Sequence, residues 1–173
     1  TIKNTLLLLF SLLMLSASCK KEKAKNPIDD LPPATQTGAN TFGCLINGEI
    51  WKPKAGLLSR VLYYDYERYN NEDFLRISAI RVISDVNKMK LTIGIVGINK
   101  NGKYSVTDGN YNVNYSDTKS GCDYYDDKDL SGTLIITRYD LQAGIISGTF
   151  NFKLEKTGCP TIIATEGRFD LRK

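Results

Sequence analysis

Beyond residue 40, apolar and polar residues alternate along the chain, and a period of two is typical of a β-strand with one buried face. The clearest segment is 89–95, in which apolar residues alternate with Lys90, Thr92 and Gly94. No window places apolar residues three and four positions apart, as an amphipathic helix requires. Strands are therefore predicted over residues 41–46, 49–51, 57–66, 74–84, 89–95, 111–115, 130–139, 146–154 and 162–171.

Turn residues separate these strands at short intervals. Asn47 and Gly48 lie between two apolar runs, and this dipeptide favours a tight hairpin because both residues accept a positive φ. The segment 99–102 and the pair Asp108 and Gly109 predict further turns. Short strands divided by such turns predict an all-β fold, either an antiparallel β-sandwich or a calycin-like barrel, with about 9–10 strands.

The start of the chain has a different character. Lys3 precedes the apolar run 6–15, which small residues connect to Cys19. This order is typical of a secretory signal, and the run is too short to cross a hydrocarbon layer of ~30 Å. The ending resembles the lipobox of bacterial lipoproteins, in which the signal is removed before a cysteine that then carries fatty acids such as palmitate. The resemblance implies lipidation at Cys19.

This division predicts three parts: a lipoprotein signal peptide over residues 1–18, the lipidated cysteine and a disordered tether over 19–39, and a single β-domain over 40–173. The tether is predicted from its lysine-rich start and from Pro27, Pro32 and Pro33, which favour extended backbone. We expect an outer-membrane lipoprotein of the cell envelope, on the periplasmic or the surface-exposed leaflet. Its lipid makes the membrane the first expected partner.

The amino-acid composition excludes several kinds of catalytic and metal site. The 173 residues include no histidine, which excludes Ser-His-Asp and Cys-His catalysis and every metal site built on imidazole. The formal net charge is +4. Both signs of charge are interspersed, so the basic face that nucleic acid requires is not expected. No feature selects a pair of carboxylates for hydrolysis. We therefore predict no enzyme activity, no cofactor and no nucleic-acid partner.

Three cysteines remain if Cys19 is acylated. Cys44 occupies an apolar position in the alternation of the first strand and is predicted to face the core. Cys122 follows a glycine and Cys159 stands between a glycine and a proline, so both have turn-like surroundings. An exported location permits a disulfide. We predict the pair Cys122–Cys159, which would stabilise the fold by ~3–4 kcal/mol on the chain-entropy model.

An acidic segment supplies a candidate metal site. Asp127, Asp129 and Ser131 place oxygen ligands at alternate positions, and Gly132 follows as in the opening of a calcium loop. Arg138 stands where such a loop needs a bidentate glutamate. A solvated acidic turn is the simpler interpretation of the same residues.

Aromatic residues supply a candidate ligand site. Trp51, Tyr63, Tyr64 and Tyr66 could form a surface on which a glycan or an envelope protein binds, because aromatic rings stack on sugars and phenols donate hydrogen bonds. Pairing of aromatic residues across neighbouring strands explains the same positions structurally.

Several short motifs recur along the predicted β-domain: the segment 40–44, Asn47 with Gly48, Trp51, and the segments 147–152 and 167–170. Together they resemble a domain family of unknown function that occurs in small Bacteroidetes lipoproteins. The resemblance covers about residues 40–171 and implies a lipid-anchored all-β domain, without an activity, a cofactor or a catalytic residue.

The functional expectation is a non-catalytic binding or structural module of the envelope. A lipocalin-like barrel that encloses a small apolar ligand is the alternative. A carboxylate-based hydrolase is the third hypothesis.

Overall fold

The described chain is built almost entirely of strands. A computed structural model describes residues 26–56, 60–69, 71–125 and 130–173. Within these ranges a short 3-10 helix, Pro27–Asp30, precedes eleven strands. The strands are β1 (Thr41–Ile46), β2 (Glu49–Trp51), β3 (Leu62–Tyr69), β4 (Glu72–Ser84), β5 (Asn87–Val96), β6 (Gly102–Ser105), β7 (Tyr111–Asp117), β8 (Cys122–Tyr124), β9 (Ser131–Asp140), β10 (Ile145–Leu154) and β11 (Ile162–Arg172).

The strands form two antiparallel sheets. The six-stranded sheet has the order β2-β1-β11-β10-β9-β6, and the five-stranded sheet has the order β3-β4-β5-β7-β8. No ladder between named strands joins one sheet to the other in the described part of the chain; Lys54 and Arg81 make an isolated bridge. The all-β prediction is confirmed, and of its two architectures the structure has the sandwich. Among the described residues no helix has the length and hydropathy needed to cross a membrane.

Strands were predicted correctly where apolar and polar residues alternate over a long segment. They were missed where a short segment becomes a strand only by pairing with a neighbour. β6 and β8 were not predicted, because they have only four and three residues and become strands by pairing with β9 and β7. The third strand was predicted over 57–66, whereas β3 begins at Leu62 and continues to Tyr69. Its polar end is held by the ladder to β4 and by the ion pair between Arg68 and Asp73, whose atoms lie 2.6 Å apart.

Large side chains fill the space between the sheets. Phe42 lies against Trp51 and Phe150, with ring centroids 5.9 and 5.2 Å apart. Two glycines make room for these rings: a Cβ on Gly167 would lie 2.5 Å from the Phe150 ring, and one on Gly148 would lie 2.8 Å from that of Phe169. A lipocalin-like barrel would hold its ligand in this space, which here is packed with protein atoms.

A disulfide links the two sheets. Cys122 on β8 is bonded to Cys159 in the turn before β11, with the two Cα atoms 5.9 Å apart. This is the pairing predicted from the sequence, and the structure confirms it. Cys44 is a free thiol in the core, as predicted, and burial raises its pKa to about 12.

The segment 31–39, called the strap below, packs on the outer face of the six-stranded sheet. Leu31 is buried there, and Pro32 lies so close to Gly43 that a Cβ on Gly43 would be 2.8 Å from its Cδ. The sequence predicted a disordered tether as far as residue 39, and from Asn26 onward the structure corrects this. Proline-rich composition resembles that of a linker, but it did not reveal that the folded sheet offers an apolar site for Leu31. Residues 19–25 lie outside the described ranges.

Candidate functional site

An open groove crosses the outer face of the six-stranded sheet beside the strap. Its volume is about 610 Å³, and Ala34 of the strap forms part of one side. This volume falls in the range of about 300–1,000 Å³ that is usual for ligand sites. A depression of about 440 Å³ shares Thr133, Asn151 and Thr165 with the groove and continues it along the strands. The side chains that matter below are Thr133, Ile135, Thr149, Asn151, Thr165 and Arg168.

The register of three central strands brings the groove side chains together. Phe150 and Phe152 of β10 face the core, so Thr149 and Asn151 face outward between them. Asn151 is paired with Thr133 of β9 and lies beside Thr165 of β11, at a point where the β10–β11 register shifts. The result is a row of two hydroxyl groups and one amide across three strands. Each of these groups can both donate and accept hydrogen bonds.

A β-bulge in β11 shapes one wall of the groove. The register of β11 shifts against both neighbours at residues 165–167. Glu166 in this bulge has a φ of 55°, a left-handed conformation that is costly for a residue with a Cβ. Bulges of this kind re-aim side chains and occur often beside functional sites. Here the bulge exposes Glu166 at the rim, with 48% of its side-chain surface accessible.

The charges around the groove are paired. The Arg168 guanidinium lies 3.0 Å from the Glu166 carboxylate and also donates to the Glu166 carbonyl oxygen. Lys153 and Glu155, at the end of β10, form a second ion pair of 2.8 Å. The groove therefore presents neutral polar groups between compensated charges.

Two isoleucines give the groove an apolar component. Ile135 of β9 and Ile163 of β11 face outward and are 43% and 45% exposed. They lie on opposite sides of the β10 row, since Ile135 pairs with Thr149 and Ile163 pairs with Lys153. A ligand in the groove would contact hydrogen-bonding groups at its centre and aliphatic surface towards its two ends.

Asp170 holds the strap beside the groove. Its buried carboxylate accepts from the Thr35 hydroxyl (2.6 Å), the Ser147 hydroxyl (2.7 Å) and the backbone N–H of Gly38 (2.8 Å), and also from Thr37 and Ala39. Burial alone would raise the pKa of Asp170, but these donors outweigh it and hold the pKa well below its usual range. A carboxylate so fully engaged has a structural role.

The predicted aromatic surface does not form. Trp51 and Tyr64 are buried in the core, at 3% and 4% exposure, and Tyr66 is half-buried against it. Tyr63 alone lies on the outer face of the five-stranded sheet, where the Arg60 guanidinium stacks 5.2 Å from its ring centroid. Successive side chains of β3 point to opposite faces of the sheet, so tyrosines that are adjacent in the sequence do not share one surface. The Trp51 Nε1–H has no hydrogen-bond partner in the described structure.

The other predicted site residues fall mainly outside the described ranges. Cys19 and the candidate calcium ligands Asp127 and Asp129 lie there, whereas Ser131 borders the depression beside the groove. Within the described ranges, Cys, Asp and Glu side chains form no cluster of three or more that could hold a metal ion.

Sequence reasoning missed the groove. The polar face of β10 was visible as the alternation of Thr149, Asn151 and Lys153 with core residues. That pattern also describes any solvated strand face. Only the order of the strands shows that residues from β9 and β11 extend it into a site.

No protein-family model, curated protein or solved structure matches this chain. The resemblance to lipoprotein domains therefore stays a prediction.

Proposed function

We propose that this chain is an exported, lipid-anchored domain of a bacterial outer membrane that binds a neutral glycan in the outer-face groove, without catalysing a reaction. The observation that carries the proposal is the uncharged row of Thr133, Asn151 and Thr165 in the largest of the grooves described above. Sugar hydroxyls both donate and accept hydrogen bonds, as these side chains do. The paired charges around the row suit a neutral ligand better than an ionic one.

The position of the groove favours a glycan over an extended peptide. Peptides that bind sheets usually add a strand at an open edge, where unpaired backbone groups are available. The groove lies on β9, β10 and β11, and the backbone groups of β10 are already paired on both sides. Recognition in the groove therefore depends on side chains, and Ile135 and Ile163 offer aliphatic contacts to the C–H faces of sugar rings.

The carboxylates support a non-catalytic role. Among the described residues that line the groove, Glu166 is the one carboxylate, and it is paired with Arg168. Asp170 is buried beneath the strap, and its oxygens are occupied by donors. A glycosidase needs two free carboxyl groups about 5–10 Å apart across the scissile bond.

Export is supported by the disulfide as well as by the signal pattern before Cys19. Disulfides persist in oxidising compartments such as the periplasm, and Cys122 and Cys159 form one. Acylation at Cys19 would place the lipid at most about 25 Å along the chain from Asn26, since an extended residue spans about 3.3–3.6 Å. The domain would then sit close to the membrane.

A glycan array followed by calorimetric titration tests the proposal. The Asn151→Ala variant should bind a captured neutral glycan about tenfold more weakly, because a lost hydrogen bond costs about 1.4 kcal/mol. Asn112→Ala is the matched control, since Asn112 is an exposed asparagine on the outer face of the five-stranded sheet. It should leave affinity unchanged. Equal weakening by both variants, or an array without any bound neutral glycan, would refute the proposal.

A further inference from the structure

The β4–β5 hairpin ends in an exposed apolar tip. Ser84 pairs with Asn87, so Asp85 and Val86 form the turn, and Val86 is 84% exposed. The β4–β5 register shifts between Val82 and Ser84, which makes Ile83 an extra residue on its strand. Such a bulge turns a side chain away from its usual direction, and Ile83 is 50% exposed. Ile83 and Val86 together are called the apolar tip.

Three lysines surround the apolar tip. Lys88 and Lys90 are exposed on β5, two residues apart and therefore on one face. Lys119 is brought beside them because the Thr118 N–H donates to the Lys88 carbonyl and the Thr118 hydroxyl donates to the Val86 carbonyl, both at 3.0 Å. In the described structure none of these lysines forms an ion pair. Asp85, Asp117 and Asp123 are acidic residues of this region. Asp123 lies in the same cross-strand row as Lys90, with Ser116 between them, and Asp117 caps its own turn by accepting from the Lys119 N–H.

The chain that leads to the predicted anchor approaches the same region. The Lys52 ammonium donates to the Asp30 carbonyl at 3.0 Å, beside the start of the described chain. Two residues later, the backbone of Lys54 forms an isolated β-bridge with that of Arg81, which precedes Ile83 by two residues on β4. A lipid at Cys19 would be at most about 25 Å along the chain from Asn26. These contacts connect the start of the described chain, through Lys52 and Lys54, to the strand that leads into the apolar tip.

We propose that the apolar tip and Lys88, Lys90 and Lys119 dock on the anionic surface of the membrane that holds the anchor. Aliphatic side chains enter the interface, and lysines beside them pair with anionic head groups. A lipid at the end of a chain segment leaves the orientation of the domain free, so a second contact fixes how the domain faces the bilayer. The outer-face groove is on the other sheet and stays available to ligand. This inference rests on the anchoring part of the proposed function and is independent of glycan binding.

A fluorescent probe on the acylated protein tests the docking. Cys44 is buried, Cys122 and Cys159 are bonded, and Cys19 would be acylated, so Val86→Cys adds an accessible thiol for a polarity-sensitive dye. Leu141→Cys is the matched control, since Leu141 is also an exposed aliphatic residue in a hairpin turn. In vesicles of phosphatidylethanolamine and phosphatidylglycerol, brominated lipids should quench the dye at residue 86 at least about threefold more strongly than at residue 141.

The charge reversal Lys88→Glu with Lys90→Glu and Lys119→Glu should abolish this difference, as should vesicles of phosphatidylcholine alone, because the attraction is electrostatic. All three lysines are exposed, so the fold should be retained, and circular dichroism checks this. Failure of the protein to float with vesicles would overturn the anchor itself. Flotation with equal quenching at both positions would overturn the docking alone. A dye at residue 86 that changes only when envelope proteins are added would assign the tip to a protein partner and also overturn it.

Discussion

Replacing Asp170 by alanine should lower the free energy of unfolding by about 3–5 kcal/mol, as measured by urea denaturation. The substitution removes the acceptor of the Thr35 and Ser147 hydroxyls and of strap backbone amides, and it leaves these donors unpaired in a buried site. Loss of a buried charged hydrogen-bond partner is among the few mechanisms that produce effects of this size. Asp65→Ala, an exposed aspartate on β3, is the control and should change stability by less than about 0.5 kcal/mol.

The same carboxylate should make stability depend on acid. The pKa of Asp170 is lowered in the folded state from an ordinary value of 3.8, so the unfolded chain binds the proton first. Its contribution is fully present above about pH 4 and is lost as the pH falls further, by up to about 1.4 kcal/mol per pH unit. The stability of Asp170→Asn should therefore fall less steeply below pH 4 than that of the wild type. Parallel curves for the two proteins would contradict the hydrogen-bond account.

The strap connects the Asp170 carboxylate and its hydrogen-bond donors, called the latch below, to the groove. Ala34 forms part of the groove wall, and Thr35 donates to Asp170 directly after it. The Arg138 and Arg172 side chains add hydrogen bonds to the carbonyls of Gln36 and Thr37. Loss of the latch should therefore weaken ligand binding as well as stability. The ligand titration described for Asn151→Ala, repeated on Asp170→Asn, would show this.

Removing the disulfide should have the second large effect. The double variant Cys122→Ser/Cys159→Ser should lose about 3–4 kcal/mol of stability, because the bond closes a loop between residues 37 positions apart and restricts the unfolded chain. The bond also ties β8, an edge strand of three residues, to the opposite sheet. Thermal unfolding with and without reductant measures the loss. The double variant should be insensitive to reductant, and a wild type with the same insensitivity would show that the bond contributes nothing.

Thiol labelling provides the complementary control. In denaturant without reductant, Cys44 should be the labelled cysteine of a Cys19→Ser chain, and reduction should expose Cys122 and Cys159 as well. In native buffer Cys44 should react slowly, since it is buried and its pKa is raised to about 12. Fast native labelling would contradict its position in the core.

How far the sequence predicted the structure differed between elements. β5 was predicted to within two residues at each end, because its alternation is long and its inward side is uniformly aliphatic. The β1–β2 hairpin followed from Asn47 and Gly48, both of which have positive φ in the structure. Cys122 and Cys159 were paired from their turn-like surroundings. For Trp51 and Tyr64 the sequence left two interpretations, a binding surface or structural pairing across strands, because aromatic residues occur on both faces of strands. The structure places both residues in the core.

The amino-acid sequence by itself determined that the domain is all-β and antiparallel, where its long strands run and where its sharpest hairpin turns, since these depend on a two-residue period and on φ values that local residues allow. Tertiary structure alone decided the strand order, and with it the groove. Asn151 and Thr133 lie on successive strands and become neighbours through the β9–β10 register, while the bulge at Glu166 places Thr165 beside them. It also decided that residues 31–39 are a strap, because Asp170 supplies the acceptor that holds them from more than a hundred residues away.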